Sequence, residues 1–239
     1  MIGSWLSIGS PVIAEIAALS GFDWLLFDLE HGNETEAAIP SQLRAISDTS
    51  AKAIVRVGAP YSDLIARVLD WGADGIMAPR INTAAEAGAL VQFAHYAPRG
   101  RRGFSRSSRK YGYGLCPPSS HNEISAPLIM PQIETIEGVL NASEIAAVPG
   151  IDVLFVGPAD LQFDLQARPE LADFTYAESL VRVNEAARLH GKSTGILVRD
   201  HAQYQHHLSL GFTHIAIDSD LAILRNSYQQ ILSLANNHR

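Results

Sequence analysis

The chain has 239 residues, 47% hydrophobic and 18% charged, with a formal net charge of −7 at pH 7. That profile excludes a disordered chain, and the acidic balance argues against a surface built for nucleic acid. A single cysteine, Cys116, excludes an intrachain disulfide, and the lack of a signal peptide or of a ~20-residue apolar run points to a cytoplasmic protein with no membrane span.

Eight short apolar runs follow one another along the chain: 3–8, 24–30, 53–57, 75–81, 128–134, 153–159, 193–198 and 214–219. Each is continuous and bounded by Gly, Pro or Asp, the pattern of strands buried on both faces. Helical patterns lie between them. Ser10-Pro11 reads as an N-cap followed by proline at the first helical position. Leu64, Ile65, Val68 and Leu69 repeat at helical period. Thr83 and Glu86 have capping-box spacing, and Gly191 and Gly211 sit where helices end. Eight β units with intervening helices predict an α/β protein, a (β/α)8 barrel forming one domain over 1–239. A doubly wound open sheet is the fallback. Residues 95–125, rich in Arg, Gly, Ser and Pro, carry no element. A loop of that length is usually functional or at an interface.

A barrel presents its chemistry at the C-terminal strand ends. There the sequence places Asp28-Leu29-Glu30-His31, Arg56, Pro79-Arg80, Gln132-Ile133-Glu134, Gly157-Pro158-Ala159-Asp160, Arg199-Asp200 and Asp218. Glu134 and Asp160, from successive strands, suit a hard divalent ion, Mg2+ or Mn2+, with waters or substrate filling the remaining positions; the plainer reading is that they cap helices or pair with arginines. His31 is the natural general base, or else a capping histidine, and Asp70 could orient it if the fold brings the two together. Arg56, in an apolar strand, needs a carboxylate partner: the substrate, Asp28 or Glu30. The 157–159 backbone offers amides for a carboxylate, less the one that Pro158 lacks. The three lysines, Lys52, Lys110 and Lys192, precede strands or lie in the long loop. Schiff-base chemistry is therefore disfavoured and a metal is needed as electron sink.

The segments FDWLLFDLEHG (22–32), VRV (55–57), LDWGADGIMAPRINTAAEA (69–87), PRGRRGFS (98–105), PQIET (131–135) and VGPADL (156–161) together resemble the HpcH/HpaI aldolase family. The resemblance implies a (β/α)8 barrel, a divalent metal, pyruvate-enolate chemistry and a homo-hexamer that exchanges its last helix between subunits. Position by position it makes Glu134 and Asp160 the metal ligands and Arg56 the residue that polarises the pyruvate carbonyl. The same resemblance implies that Gln132 and Gly157, Pro158 and Ala159 bind pyruvate, that His31 is the base and that Asp70 is its acidic partner. Arg80 and the 99–110 segment vary among related enzymes, and the resemblance implies that they shape acceptor specificity.

The expected activity is a class II aldolase that reversibly cleaves a 4-hydroxy-2-oxo acid to pyruvate and an aldehyde. One alternative is a C–C lyase or synthase acting on a CoA thioester or on oxaloacetate. The other is an RNA-binding protein using the basic run 99–110, which the net charge disfavours; the expected partners are small molecules, with no nucleic acid and no membrane.

Overall fold

The computed structural model describes residues 1–236. Eight parallel strands close into a barrel in the order β1 to β8: Ile2–Leu6, Trp24–Asp28, Lys52–Arg56, Gly75–Ala78, Leu128–Ile133, Val153–Val156, Ser193–Val198 and His214–Ser219. Ten helices connect or follow them: α1 Pro11–Leu19, α2 Ile39–Ala45, α3 Ser62–Asp70, α4 Ala84–Ala94, α5 Ile136–Leu140, α6 Ala142–Ala147, α7 Pro158–Ala167, α8 Tyr176–Leu189, α9 Tyr204–Ser209 and α10 Asp220–Asn236. All eight expected strands are present. Several end two or three residues earlier than the apolar runs, because the polar ends of those runs leave the ladder for the rim. Among the described residues no helix is long and apolar enough to cross a membrane.

The helix ends follow their sequence signals. Ser10 accepts a hydrogen bond from the Ile13 amide at the start of α1, and Thr83 and Glu86 form a reciprocal capping box at α4. Gly191 and Gly211 take φ values of 64° and 102° just past α8 and α9, the left-handed conformation that glycine adopts without a Cβ clash.

Strand residues alternate between two cores. Outward side chains, among them Leu25, Phe27, Val55, Ile76, Ile129, Leu154 and Ile215, pack beneath the helices. Inward side chains form a separate cluster inside the barrel: Trp5, Trp24, Leu26, Ile54, Met77, Met130, Val153, Phe155 and Ala216. Two glycines make room for its rings. A Cβ at Gly3 would stand 2.1 Å from the Trp24 indole, and one at Gly195 would stand 2.4 Å from the Phe155 ring.

The barrel bottom repeats one device. A glycine of positive φ, one residue and then Asp23, Asp74, Asp152 or Thr213 precede β2, β4, β6 and β8. Asp23, Asp74 and Asp152 each accept a backbone amide of the preceding strand, from Ile2 (2.7 Å), Ala53 (2.9 Å) and Ile129 (2.8 Å). Thr213 instead donates its hydroxyl to the Thr194 carbonyl. The motif is three residues long and spaced irregularly, so the sequence alone does not reveal it as a repeat.

Candidate active site

The inward period of the strands turns polar in its last layer. Trp24 and Leu26 lead to Asp28, Ile54 to Arg56, Met130 to Gln132, and Val153 and Phe155 to Gly157. Buried apolar layers below and a polar layer above set the site at the C-terminal mouth. The pocket there holds about 280 Å³ and is lined by, among others, Trp5, Asp28, His31, Arg56, Gln132 and Asp160.

Arg56 is its centre, and only 6% of its surface is exposed. Asp28 accepts from Nε at 2.8 Å and from Nη2 at 2.7 Å, the bidentate fork that guanidinium and carboxylate form best. Register places them together, since Asp28 and Arg56 are paired residues on β2 and β3. The Nη1 edge is the least satisfied. It makes a 3.5 Å hydrogen bond to Gln132 Oε1 and lies 2.8 Å from Glu30 Oε2 without hydrogen-bond alignment. Trp5 stacks on the cation, with its ring centre 5.3 Å from Cζ. Both acids named for Arg56 from sequence are therefore its partners.

Ionisation follows from these contacts. Burial works against charge on Asp28, but the Arg56 hydrogen bonds, its charge and the Glu30 and His31 amides outweigh it and hold the carboxyl below its usual range. Burial likewise opposes charge on Arg56, and Asp28, Glu30 and Glu134 more than offset it.

Glu134 is 3% exposed. Its Oε1 accepts from the Arg80 amide at 2.8 Å, and its Oε2 from Gln132 Nε2 at 2.5 Å. Arg80 takes φ 53° to aim that amide. Burial first, then the charges of Asp160 and Glu30, push the Glu134 carboxyl up to about 7. A Cβ at Gly157 would stand 2.3 Å from Glu134 Oε2, so only glycine leaves that carboxylate its place. Asp160, in the first turn of α7, is exposed to the pocket. Two repelling carboxyls suit a hard divalent cation, which prefers oxygen ligands. Among the described residues no group of three or more His, Cys, Asp or Glu could hold a metal by itself, so Glu134 and Asp160 can be only part of a coordination shell.

The amide cradle is narrower than 157–159. The Gly157 amide already donates to the Ile133 carbonyl at 3.1 Å, and Pro158 has none. The free donors are the first-turn amides of α7 at Ala159 and Asp160, which have no intrahelical acceptor.

His31 lies at the mouth with its side chain 69% exposed, and its Nε2 is 3.9 Å from Glu30 Oε1. Asp70 is elsewhere. Helix α3 runs back down the barrel wall, so its last residue ends at the N-terminal face. There the carboxylate of Asp70 pairs with the buried Arg102 guanidinium. Within one chain the fold does not bring Asp70 to His31.

The arginine-rich loop ties down the same lower face. Arg101 lies over the Phe93 ring and Arg102 over Tyr96, while Arg109 donates to the carbonyls of Trp71 and Leu43. These arginines have internal partners, and nothing in the loop favours RNA. The lysines stay clear of the mouth: Lys52 pairs with Asp74 at the bottom, and among the described residues none lines the pocket.

Glu34 is a half-buried acid that the sequence gives no reason to notice, in the polar run Asn33-Glu34-Thr35-Glu36. Its Oε2 accepts from Gln42 Nε2, and its Oε1 is buried without a partner. Burial, opposed by the Gln42 bond and reinforced by Asp28 and Asp220, pushes it up to about 7 from an ordinary 4.5. A carboxyl raised on folding lets stability fall as pH rises between those two values, since the unfolded chain ionises first. Glu34→Gln is expected to remove that loss. Urea unfolding would show the variant more stable by about 2 kcal/mol at pH 8, after allowance for its partial solvent contact, and nearly equal to the parent at pH 4.5.

A family model described as HpcH/HpaI aldolase/citrate lyase matches residues 1–227. The chain belongs to that family. Membership makes it an enzyme, a carbon–carbon lyase. It is 36% identical over 234 residues to a 5-keto-4-deoxy-D-glucarate aldolase of Klebsiella pneumoniae, covering 96% of this chain and 90% of that one. It is 42% identical over 228 residues to a 4-hydroxy-2-oxovalerate aldolase of Novosphingobium aromaticivorans, covering 91% and 84%. A crystal structure of a family protein from Burkholderia cenocepacia superposes with TM-score 0.91 at 32% identity, covering 99% of this chain and 94% of that one.

Proposed function

We propose that the enzyme reversibly cleaves a 4-hydroxy-2-oxo acid to pyruvate and an aldehyde. The observation that carries this reading is Arg56, whose fork is clamped by Asp28 on one edge, while its Nη1 edge has a 3.5 Å bond to Gln132 and the unaligned charge of Glu30 and lines a pocket that also holds a helix N-terminus and Asp160. Such an edge donates to an oxygen on which negative charge develops.

The substrate carboxylate takes the Ala159 and Asp160 amides, and its 2-oxo oxygen takes the Nη1 edge of Arg56. His31 removes the C4 hydroxyl proton. The C3–C4 bond breaks, C4 leaves as the aldehyde carbonyl, and the electron pair enters the pyruvate enolate held by Arg56. A proton from solvent adds at C3 to give pyruvate, and His31 releases the proton it took to solvent. Glu134 and Asp160 would hold a divalent cation, Mg2+ or Mn2+, which would supply positive charge to stabilise the enolate.

Release of pyruvate from 4-hydroxy-2-oxo acids, followed with lactate dehydrogenase and NADH, tests the reading. Turnover of a CoA thioester or of oxaloacetate in place of these acids would replace it with the citrate-type alternative. His31→Ala should lose cleavage by at least ~100-fold, the lower end of general-base effects, yet bind pyruvate with near-parental affinity in calorimetry. Loss of both together would mean that His31 organises the site.

We further propose that the protein is a homo-hexamer and that Asp70 serves His31 of a neighbouring copy, since the two lie at opposite ends of one barrel. Helix α10 supports assembly. Leu221, Ile223, Tyr228, Ile231, Leu232 and Leu234 are all more than 40% exposed, far more apolar surface than one helix leaves open in a monomer. Light scattering of the parent and of an Ile231→Asp, Leu232→Asp double variant should show a hexamer that falls to smaller species.

A further inference from the structure

The segment that follows β2 carries His31 to the mouth. Near the strand it is tied by its backbone: the Glu30 and His31 amides donate to Asp28 Oδ1 at 3.0 and 3.3 Å, and the Asn33 amide donates to the Ser7 carbonyl at 2.7 Å. The tie that reaches α2 is a side chain. Glu34 packs against Gly9 of the β1–α1 loop, where a Cβ would stand 2.6 Å from the Cβ of Glu34. Its Oε2 accepts from Nε2 of the fully buried Gln42.

This contact is half of a pair. Glu34 Oε1 and Gln42 Oε1 are both buried without a hydrogen-bond partner, and both are acceptors when Glu34 is ionised. A carboxylic acid and a carboxamide can satisfy each other with two bonds, N–H to one acid oxygen and O–H to the amide oxygen. The first bond is present. One proton on Glu34 Oε1 supplies the donor that both orphaned oxygens lack. The charges around Glu34 favour that proton. Asp28 of β2 and Asp220 at the start of α10 face it, and both are acids; residues 7–10 and Gln42 bring no charge. Asp220 is occupied by the Ser7 and Ile8 amides. The arginines that pair along the segment go to other acids, Arg56 to Glu30 and Arg67 to Glu36. Burial first, then Asp28 and Asp220, raise the Glu34 carboxyl against the pull of the Gln42 bond.

We propose that Glu34 is a positioning residue for His31: as the neutral acid it latches the segment to α2 through Gln42, and as the anion it lets the segment go. The role toward His31 rests on the aldolase reading above; the latch itself does not. Linkage gives the direction. In the open segment Glu34 is a solvated acid near its ordinary 4.5, and in the latched segment it ionises near 7. Opening therefore releases a proton. It is rarest below about pH 4.5, grows as pH rises between the two values, and levels off above about 7. The growth is tenfold per pH unit at most, and partial solvent contact makes it smaller.

Hydrogen exchange of the whole enzyme, read by mass spectrometry on peptides covering 29–38 and corrected for the intrinsic pH dependence of exchange, tests the latch. In the parent, opening of the segment should grow by about tenfold or more between pH 5 and pH 7.5 and then flatten. Glu34→Gln, whose amide pairs with Gln42 at every pH, should show no such growth. Glu34→Ala should leave the segment open throughout. The second arm is cleavage of a 4-hydroxy-2-oxo acid at pH 6.5. There Glu34→Ala should lower kcat by about tenfold or more, the scale of a misplaced catalytic group. KM should stay within about twofold, because the 2-oxo acid is held by Arg56 and α7, and Glu34→Gln should restore kcat. Exchange that depends on pH alike in the parent and in Glu34→Gln would overturn the latch, as would a change shared equally by the core strands. Parental kcat in Glu34→Ala would overturn the role toward His31. Were the alanine variant too unstable to assay, the exchange of the glutamine variant still decides. Failure of the parent to cleave any such acid would count against the aldolase reading instead and leave the exchange result standing.

Discussion

Arg56→Lys is expected to lower turnover by at least ~100-fold, the scale of losing one oxyanion donor. The guanidinium does two things at once. Its Nε and Nη2 bind both oxygens of Asp28, which fixes the plane of the fork, and that plane turns the remaining edge into the pocket. An ammonium can satisfy Asp28 or the substrate oxygen, but it has no rigid geometry with which to hold both. The loss should appear in kcat more than in KM, because the interaction strengthens as charge develops on the oxygen. Arg56→Ala removes the cation altogether and leaves Asp28 buried at 2% exposure without its partner, a change that costs about 3–5 kcal/mol of stability. The lysine variant is therefore the sharper measurement, with thermal unfolding recorded alongside. A lysine variant with near-parental kcat would make Arg56 a structural residue.

Much of this site can be read from the chain because the barrel obeys a simple period. Alternate residues point inward, so an arginine or glutamine at the end of an apolar run must reach the mouth, as Arg56 and Gln132 do. The need of Arg56 for a carboxylate followed from burial alone. Which acid met it did not, since Asp28 and Glu30 are both near in sequence and only the β2–β3 register selects the bidentate one. Strand ends were overrun at Glu30, Ile81, Glu134 and Ala159 for a related reason: the rim residues continue the apolar run in sequence but turn out of the ladder in space. Asp70 shows the limit of sequence proximity to a motif. It lies at the start of LDWGADG, yet the descent of α3 carries it to the other face and into the hands of Arg102. Glu34 was illegible as a special residue because the burial of its oxygens is decided by packing against groups such as Gln42 that are not its neighbours in the chain.

The acids Glu134 and Asp160 should show the other large effect. Glu134→Gln and Asp160→Asn are each expected to abolish cleavage, and chelation by EDTA should inactivate the parent, with Mg2+ or Mn2+ restoring it. The argument is electrostatic. Glu134 is held within reach of Asp160 and Glu30 in a site that burial makes costly for charge, and the glycine at 157 keeps its Oε2 unobstructed. A pocket that gathers like charges in this way is stable only if protons or a cation neutralise them. The amide variants keep the shape of the site and, in Glu134→Gln, an oxygen acceptor for the Arg80 amide. Their urea midpoints should therefore match or exceed the parent's as repulsion is relieved. Direct titration with Mn2+, followed by electron paramagnetic resonance, should show binding in the parent and loss of it in both variants. Full activity after dialysis against EDTA would remove the metal from the mechanism, and inactivation by borohydride in the presence of pyruvate would redirect attention to a lysine that the pocket does not contain.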